Sequence, residues 1–185
     1  MIFNLPNITV AEYYQLEEKE FEKYQKLNSV LLINDDLFLK RKAEKLTELT
    51  YGNVSTLKHT INEPSFDGLN EMIEIVYNIK KRDVLNADIV SYFYALKWID
   101  KSVGEILEME FKALQTEPDS KMELAGVQRL SVFGDLSALI SLGKQFGKAP
   151  EEIQSWKYKI VFSILAYNKV YGEVEKEYNK LLTKK

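Results

Sequence analysis

His59 is the first residue to test for chemistry, because it is the one histidine in the chain and imidazole titrates near neutral pH. A Ser-His-acid triad needs it, and no motif frames a serine beside it. A half-exposed position on a short helix is the expectation. The chain has no cysteine, which excludes disulfides, thiolate metal sites and thiol nucleophiles together. Glu105, Glu108 and Glu110 crowd one stretch, but a carboxylate-bridged di-metal bundle needs Glu-x-x-His pairs on facing helices. They read as a solvated acidic face, and no EF-hand spacing is present. Gly143-Lys144-Gln145-Phe146-Gly147-Lys148 has the glycines and lysines of a phosphate loop. It lacks the Gly-x-x-x-x-Gly-Lys-Ser/Thr order and a leading strand. A glycine helix stop accounts for it. No cofactor, metal or catalytic residue is expected, and the chain reads as a non-enzyme.

Two basic clusters, Lys40-Arg41-Lys42 with Lys45 and Lys80-Lys81-Arg82, could touch phosphate. Neither is interleaved with aromatic residues, and the net charge is -3. A nucleic-acid partner is therefore not expected. The aromatic residues concentrate at Tyr92-Phe93-Tyr94 with Trp98, and at Trp156 with Tyr158. Consecutive residues on a helix point in different directions, so these rings cannot all enter one core. Core packing competes with partner contact for them. Tyr92, Tyr94, Trp98, Trp156 and Tyr158 are the candidate protein-binding residues, since Trp and Tyr are favoured interface anchors.

The elements that must position these groups read as helices. The chain has 185 residues, of which 45% are hydrophobic and 29% charged, enough for a packed core in one domain or two small ones. The expected class is all-α: an irregular bundle of seven to eight helices with two long ones, at about 87–115 and 156–182. Residues 1–185 read as one helical domain, with a subdivision into 1–117 and 118–185 at Pro118. Thr9-Val10-Ala11-Glu12 is a capping box opening a first helix that runs to about Lys26. Asn34-Asp35-Asp36 caps a second helix to about Leu49, with Leu37, Leu39, Ala43, Leu46 and Leu49 facing the core. A short third helix follows and ends near Ile61. Ser65 caps a fourth helix, which Lys80-Lys81-Arg82 closes at the negative end of the dipole. Gly104 interrupts the first long helix, and close approach of another helix is its expected compensation. Ala149-Pro150-Glu151-Glu152 starts another helix. Ile160, Val161, Ile164, Leu165, Val174, Tyr178 and Leu181 carry the apolar side of the last one. The first residues lack a positively charged leader, and no apolar run approaches the length of a bilayer span. Neither a signal peptide nor a membrane partner is expected.

Two stretches carry a family resemblance. Tyr92-Phe93-Tyr94-Ala95-Leu96, followed by Lys101-Ser102-Val103-Gly104-Glu105, is similar to a segment of the helical baseplate hub assembly family of large contractile phages. The Arg-Pro-Phe that leads into a Glu-Glu-Lys run before the segment in that family is absent here. Phe146-Gly147-Lys148-Ala149-Pro150-Glu151-Glu152-Ile153, leading to Trp156, resembles the C-terminal segments of phage tail assembly chaperones and small structural proteins. The resemblance implies a bacteriophage head-tail connector, tail or baseplate component, or its assembly chaperone. Such a protein works by contact with other virion or assembly proteins, with self-association among its options. It would act in the host cytoplasm during assembly and in the virion. The competing expectation is a small cytoplasmic inhibitor, such as a phage anti-defence protein that binds a host enzyme.

Overall fold

In the computed structural model the described residues are 5–32, 36–116 and 120–183. They form ten α-helices and one two-stranded hairpin, so the chain is all-α. By chain contacts it divides into two compact units that interleave in sequence. The first holds Met1–Leu46 and Thr56–Gly104; the second holds Thr47–Ser55 and Glu105–Lys185. Pro118 lies outside the described residues.

The first unit begins with α1 (Val10–Tyr13), opened by the expected capping box. The Glu12 amide donates to Thr9 Oγ1 at 3.2 Å, and the Thr9 amide donates to Glu12 Oε2 at 2.8 Å. The helix then stops, and α2 (Glu18–Val30) follows as a separate element. Aromatic packing explains the break. In one straight helix Tyr13 and Phe21 would stand about 12 Å apart along the axis. Here their rings stack at 4.8 Å, and Tyr13 also meets Phe93 edge-on at 5.4 Å.

Among the described residues the second expected helix does not form; a 3-10 turn at Leu46–Glu48 is its one helical stretch. Asp36 lies just before a hairpin, β1 (Leu37–Phe38) against antiparallel β2 (Arg41–Lys42); Asn34 and Asp35 lie outside the described residues. Leu37 and Leu39 are exposed, and Phe38 is buried against Tyr77 with ring centroids 5.5 Å apart. The Glu44 amide donates to the Val76 carbonyl at 2.9 Å, which ties the segment to the end of α4 (Phe66–Tyr77). Both turn residues, Leu39 and Lys40, have positive φ, at 48° and 64°. That backbone suits a two-residue hairpin but is normally filled by Asn-Gly.

α3 (Tyr51–Asn62) and α4 form as expected, and Ser65 caps α4 by accepting the Gly68 amide at 3.1 Å. The α4 stop differs. Asn78 turns left-handed at φ 50°, and Lys80 to Arg82 open a separate helix, α5 (Lys81–Leu85). The basic run is therefore at a helix start, where the dipole disfavours it. Lys81 offsets this by donating to Asp67 Oδ1 at 2.7 Å, which raises its pKa. The long α6 (Ile89–Leu114) follows, its first turn capped by Asp88, which accepts the Ser91 amide at 2.9 Å. No helix presses on Gly104: a Cβ built there meets nothing within 4 Å among the described residues. The expected compensation is absent.

The second unit contains α7 (Ser120–Leu124), a 3-10 turn over Val127–Phe133, α8 (Leu136–Phe146), α9 (Pro150–Gln154) and α10 (Tyr158–Thr183), with the start of α3 and the end of α6. Leu139, Leu142, Ile153, Tyr158 and Val161 are buried in it. Gly147 ends α8 in the left-handed region at φ 63°. Proline at the first turn and two acids open α9, as the dipole requires. Among the described residues, no helix is long and apolar enough to cross a membrane.

Candidate docking surface

The second unit secures the first turns of α10 from one side. The Tyr158 hydroxyl donates to Glu110 Oε1 at 2.9 Å, and its ring stacks on Tyr51 with centroids 6.2 Å apart. The Tyr158 amide donates to the Leu49 carbonyl, and the Tyr51 amide to the Trp156 carbonyl, both at 2.8 Å. Ser55 donates to Asp135 Oδ2 at 2.7 Å. Lys157 and Lys159 both donate to Glu48, at 2.9 and 2.6 Å, and hold its carboxyl down at about 2. Burial pushes the Tyr51 and Tyr158 hydroxyls well above their ordinary value, and the carboxylates of Asp135 and Glu110 push them the same way. Further along, Asn168 donates to Gln145 Oε1 at 2.8 Å. The packed face of α10 thus runs through Tyr158, Val161 and Asn168.

The other face of α10 carries Ile160, Ile164, Tyr167, Tyr171, Val174, Tyr178 and Leu181. Their spacing is 4-3-4-3-4-3, the seam of a heptad repeat, and at about 100° per residue they fall in one stripe. All are exposed except Ile164, which is half-buried; Tyr167 and Leu181 reach 65% and 68% exposure. Val170 and Leu182, also exposed, widen the stripe. Tyr167 and Tyr171 stack on each other at 6.0 Å, which aligns their rings along the helix. The flanking Glu175 and Glu177 are exposed. Scattered surface apolar residues need no explanation, but a contiguous stripe rimmed by charge marks a contact surface.

The five residues expected to bind a partner are distributed differently. Tyr92, Tyr94 and Trp98 lie in the first unit, Trp156 and Tyr158 in the second. Tyr92 and Tyr158 are fully buried, so neither presents a surface anchor. The Tyr92 and Tyr14 hydroxyls meet at 3.3 Å, and burial drives the Tyr92 pKa far up. Tyr94, Trp98 and Trp156 are half-buried. Trp98 sits 6.4 Å from the Tyr77 ring, and Trp156 meets Phe146 edge-on at 5.4 Å. The apparent surplus around Tyr92-Phe93 is hidden because Tyr14 receives one ring and Tyr13 the other. The 4-3 spacing along α10 was the signal for the exposed surface. It is present in the sequence, but the expectation pooled it with the packed residues Val161 and Leu165.

The residues tested first for chemistry sit as follows. His59 is exposed on α3, its Nε2 3.9 Å from Glu63 Oε2. Gly143 to Lys148 form the C-terminal end of α8, where carbonyls and not amides are unpaired; that polarity repels phosphate. Glu108 accepts Lys112, and Glu110 accepts Tyr158. Glu105, Glu108, Met109, Lys112, Ala113 and Phe162 line a shallow open groove. No family model, curated protein or solved structure matches this chain.

Proposed function

We propose that the chain is a non-enzymatic assembly protein of a tailed bacteriophage: a head-tail connector, a tail or baseplate component, or its chaperone. It works by docking the outer face of α10 onto another protein in the host cytoplasm, and the docked form enters the virion. The observation that carries this reading is the exposed heptad stripe from Ile160 to Leu181. Leaving that much apolar surface in water is costly at roughly 25 cal/mol per Å². The two short resemblances to phage assembly families supply the biological setting. The experiment is mass spectrometry of purified particles and of assembly intermediates, with a Val174→Lys variant beside the wild type. The wild-type chain is expected with a tail, baseplate or connector component, and the variant is expected to be lost from it. A chain absent from every particle fraction, or a variant retained like the wild type, would sink the reading.

A further inference from the structure

We propose that the occupant of the α10 outer face is the same face of a second copy, the two helices running antiparallel about an axis between Gly172 and Glu173. The proposal rests on the docking reading above and names its partner. Three features of the stripe support it.

The first is side-chain volume. In the antiparallel register Tyr171 lies opposite the partner's Val174, Tyr167 opposite the partner's Tyr178, and Ile164 opposite the partner's Leu181. The two layers nearest the axis then pair Tyr171 with the smaller Val174, the next two set Tyr167 against Tyr178, and the end layers match branched Ile164 with Leu181. The large-small pairing at the centre is how interdigitating cores reach native density. A parallel pair would instead stack Tyr167, Tyr171 and Tyr178 each on its own copy. The tyrosine hydroxyls in the antiparallel pair reach the rim, where water satisfies them.

The second is charge. The antiparallel register brings Glu175 beside the partner's Asn168 and Glu177 beside the partner's Val170. No acid faces an acid, so the seam does not repel itself.

The third is area. The exposed fractions of Tyr167, Tyr171, Tyr178, Val170, Val174, Leu181 and Leu182 amount to about 600 Å² per copy, taking ~200 Å² for each tyrosine and ~100 Å² for each aliphatic side chain. Complete burial of both stripes would remove about 1,200 Å² in total, so a pair that keeps its tyrosine hydroxyls at the rim comes close to the ~1,000 Å² that a specific interface needs.

Because the chain has no native cysteine, single replacements report distance cleanly. Tyr167→Cys and Tyr178→Cys are made separately in the full chain, both at exposed positions. Mixed and mildly oxidised, they are expected to give a disulfide-linked dimer at least tenfold more abundant than either variant alone. In the antiparallel pair each position stands about 16 Å along the axis from its own copy, beyond the ~7 Å that a disulfide spans. Sedimentation equilibrium should find the wild type dimeric at micromolar concentration and Val174→Lys monomeric.

Cross-linking of each variant with itself and no gain on mixing would overturn the antiparallel arrangement. A dimer that survives Val174→Lys would overturn the interface. A wild type that is monomeric at high micromolar concentration would overturn self-pairing. If such a monomer still binds a particle component and Val174→Lys abolishes that binding, the docking reading stands alone. If the binding is unaffected, both fall.

Discussion

One substitution, glycine to alanine, should act with opposite sign at two helical positions. At Gly104 in α6, a Cβ meets nothing within 4 Å among the described residues. Alanine there gains only helix propensity, about 1 kcal/mol. At Gly143 in α8, the Cβ would stand 2.6 Å from the carbonyl oxygen of Lys148. That oxygen is backbone and cannot rotate away, and the Lys148 amide is itself bonded to the Gly143 carbonyl at 2.9 Å. The α8–α9 turn must move, at the ~1–3 kcal/mol typical of overpacking. After the same propensity gain, Gly143→Ala should lose up to about 2 kcal/mol. For a chain of this size about 1 kcal/mol shifts Tm by ~2–4 °C. Thermal unfolding followed by far-ultraviolet circular dichroism should therefore place Gly104→Ala ~2–4 °C above the wild type and Gly143→Ala below it, by up to ~8 °C. Equal shifts, or the reverse order, would refute the packing assigned to α8 and α9.

Other outcomes follow from single contacts. Tyr158→Phe removes the donor to Glu110 at a buried site and should lower stability by about 1–2 kcal/mol in urea unfolding, with little change in fold. Lys40→Gly should stabilise by roughly 1 kcal/mol, because Lys40 holds φ 64° in the hairpin turn; a loss in the same assay would contradict the assigned turn. Alkaline pH should unfold the chain. Burial pushes Tyr13 up to about 12, and Tyr92 and Tyr158 rise further. Folded values above the unfolded value of 10 mean that this stability is whole below pH 10 and is lost as pH rises toward 12. Tyrosinate absorbance should lag behind that of the denatured chain until unfolding, and a titration matching free tyrosine would contradict it.

What was legible in the sequence was local. The Thr9 capping box, the Ser65 cap and the Pro150 helix start each depend on residues a turn apart, and all three stand as expected. The misreadings came from distant partners. Leu37, Leu39, Ala43 and Leu46 mimic a helical stripe, but Phe38 gains more by packing on Tyr77, which a strand allows. Tyr13 and Phe21 break one expected helix into two, for a stacking contact that spacing along a helix does not reveal. Lys80 to Arg82 resembled a helix end because cations favour that position. Asn78 had already ended the helix, and Asp67 receives Lys81 instead. The five residues expected to bind a partner and the exposed stripe of α10 do not coincide. Tyr92 and Tyr158 are core, and the exposed tyrosines are Tyr167, Tyr171 and Tyr178. An apolar helix with two stripes looks like one with a single broad face until a neighbour is placed against it.

Hydrogen exchange along α10 tests the central claim most directly, because it asks whether protein covers the outer stripe in solution. Amides of residues 167–182 in the full wild-type chain should exchange at least tenfold more slowly at high micromolar concentration than at high dilution, while those of α4 are unchanged. Equal exchange across α10 at both concentrations would contradict self-pairing through this face.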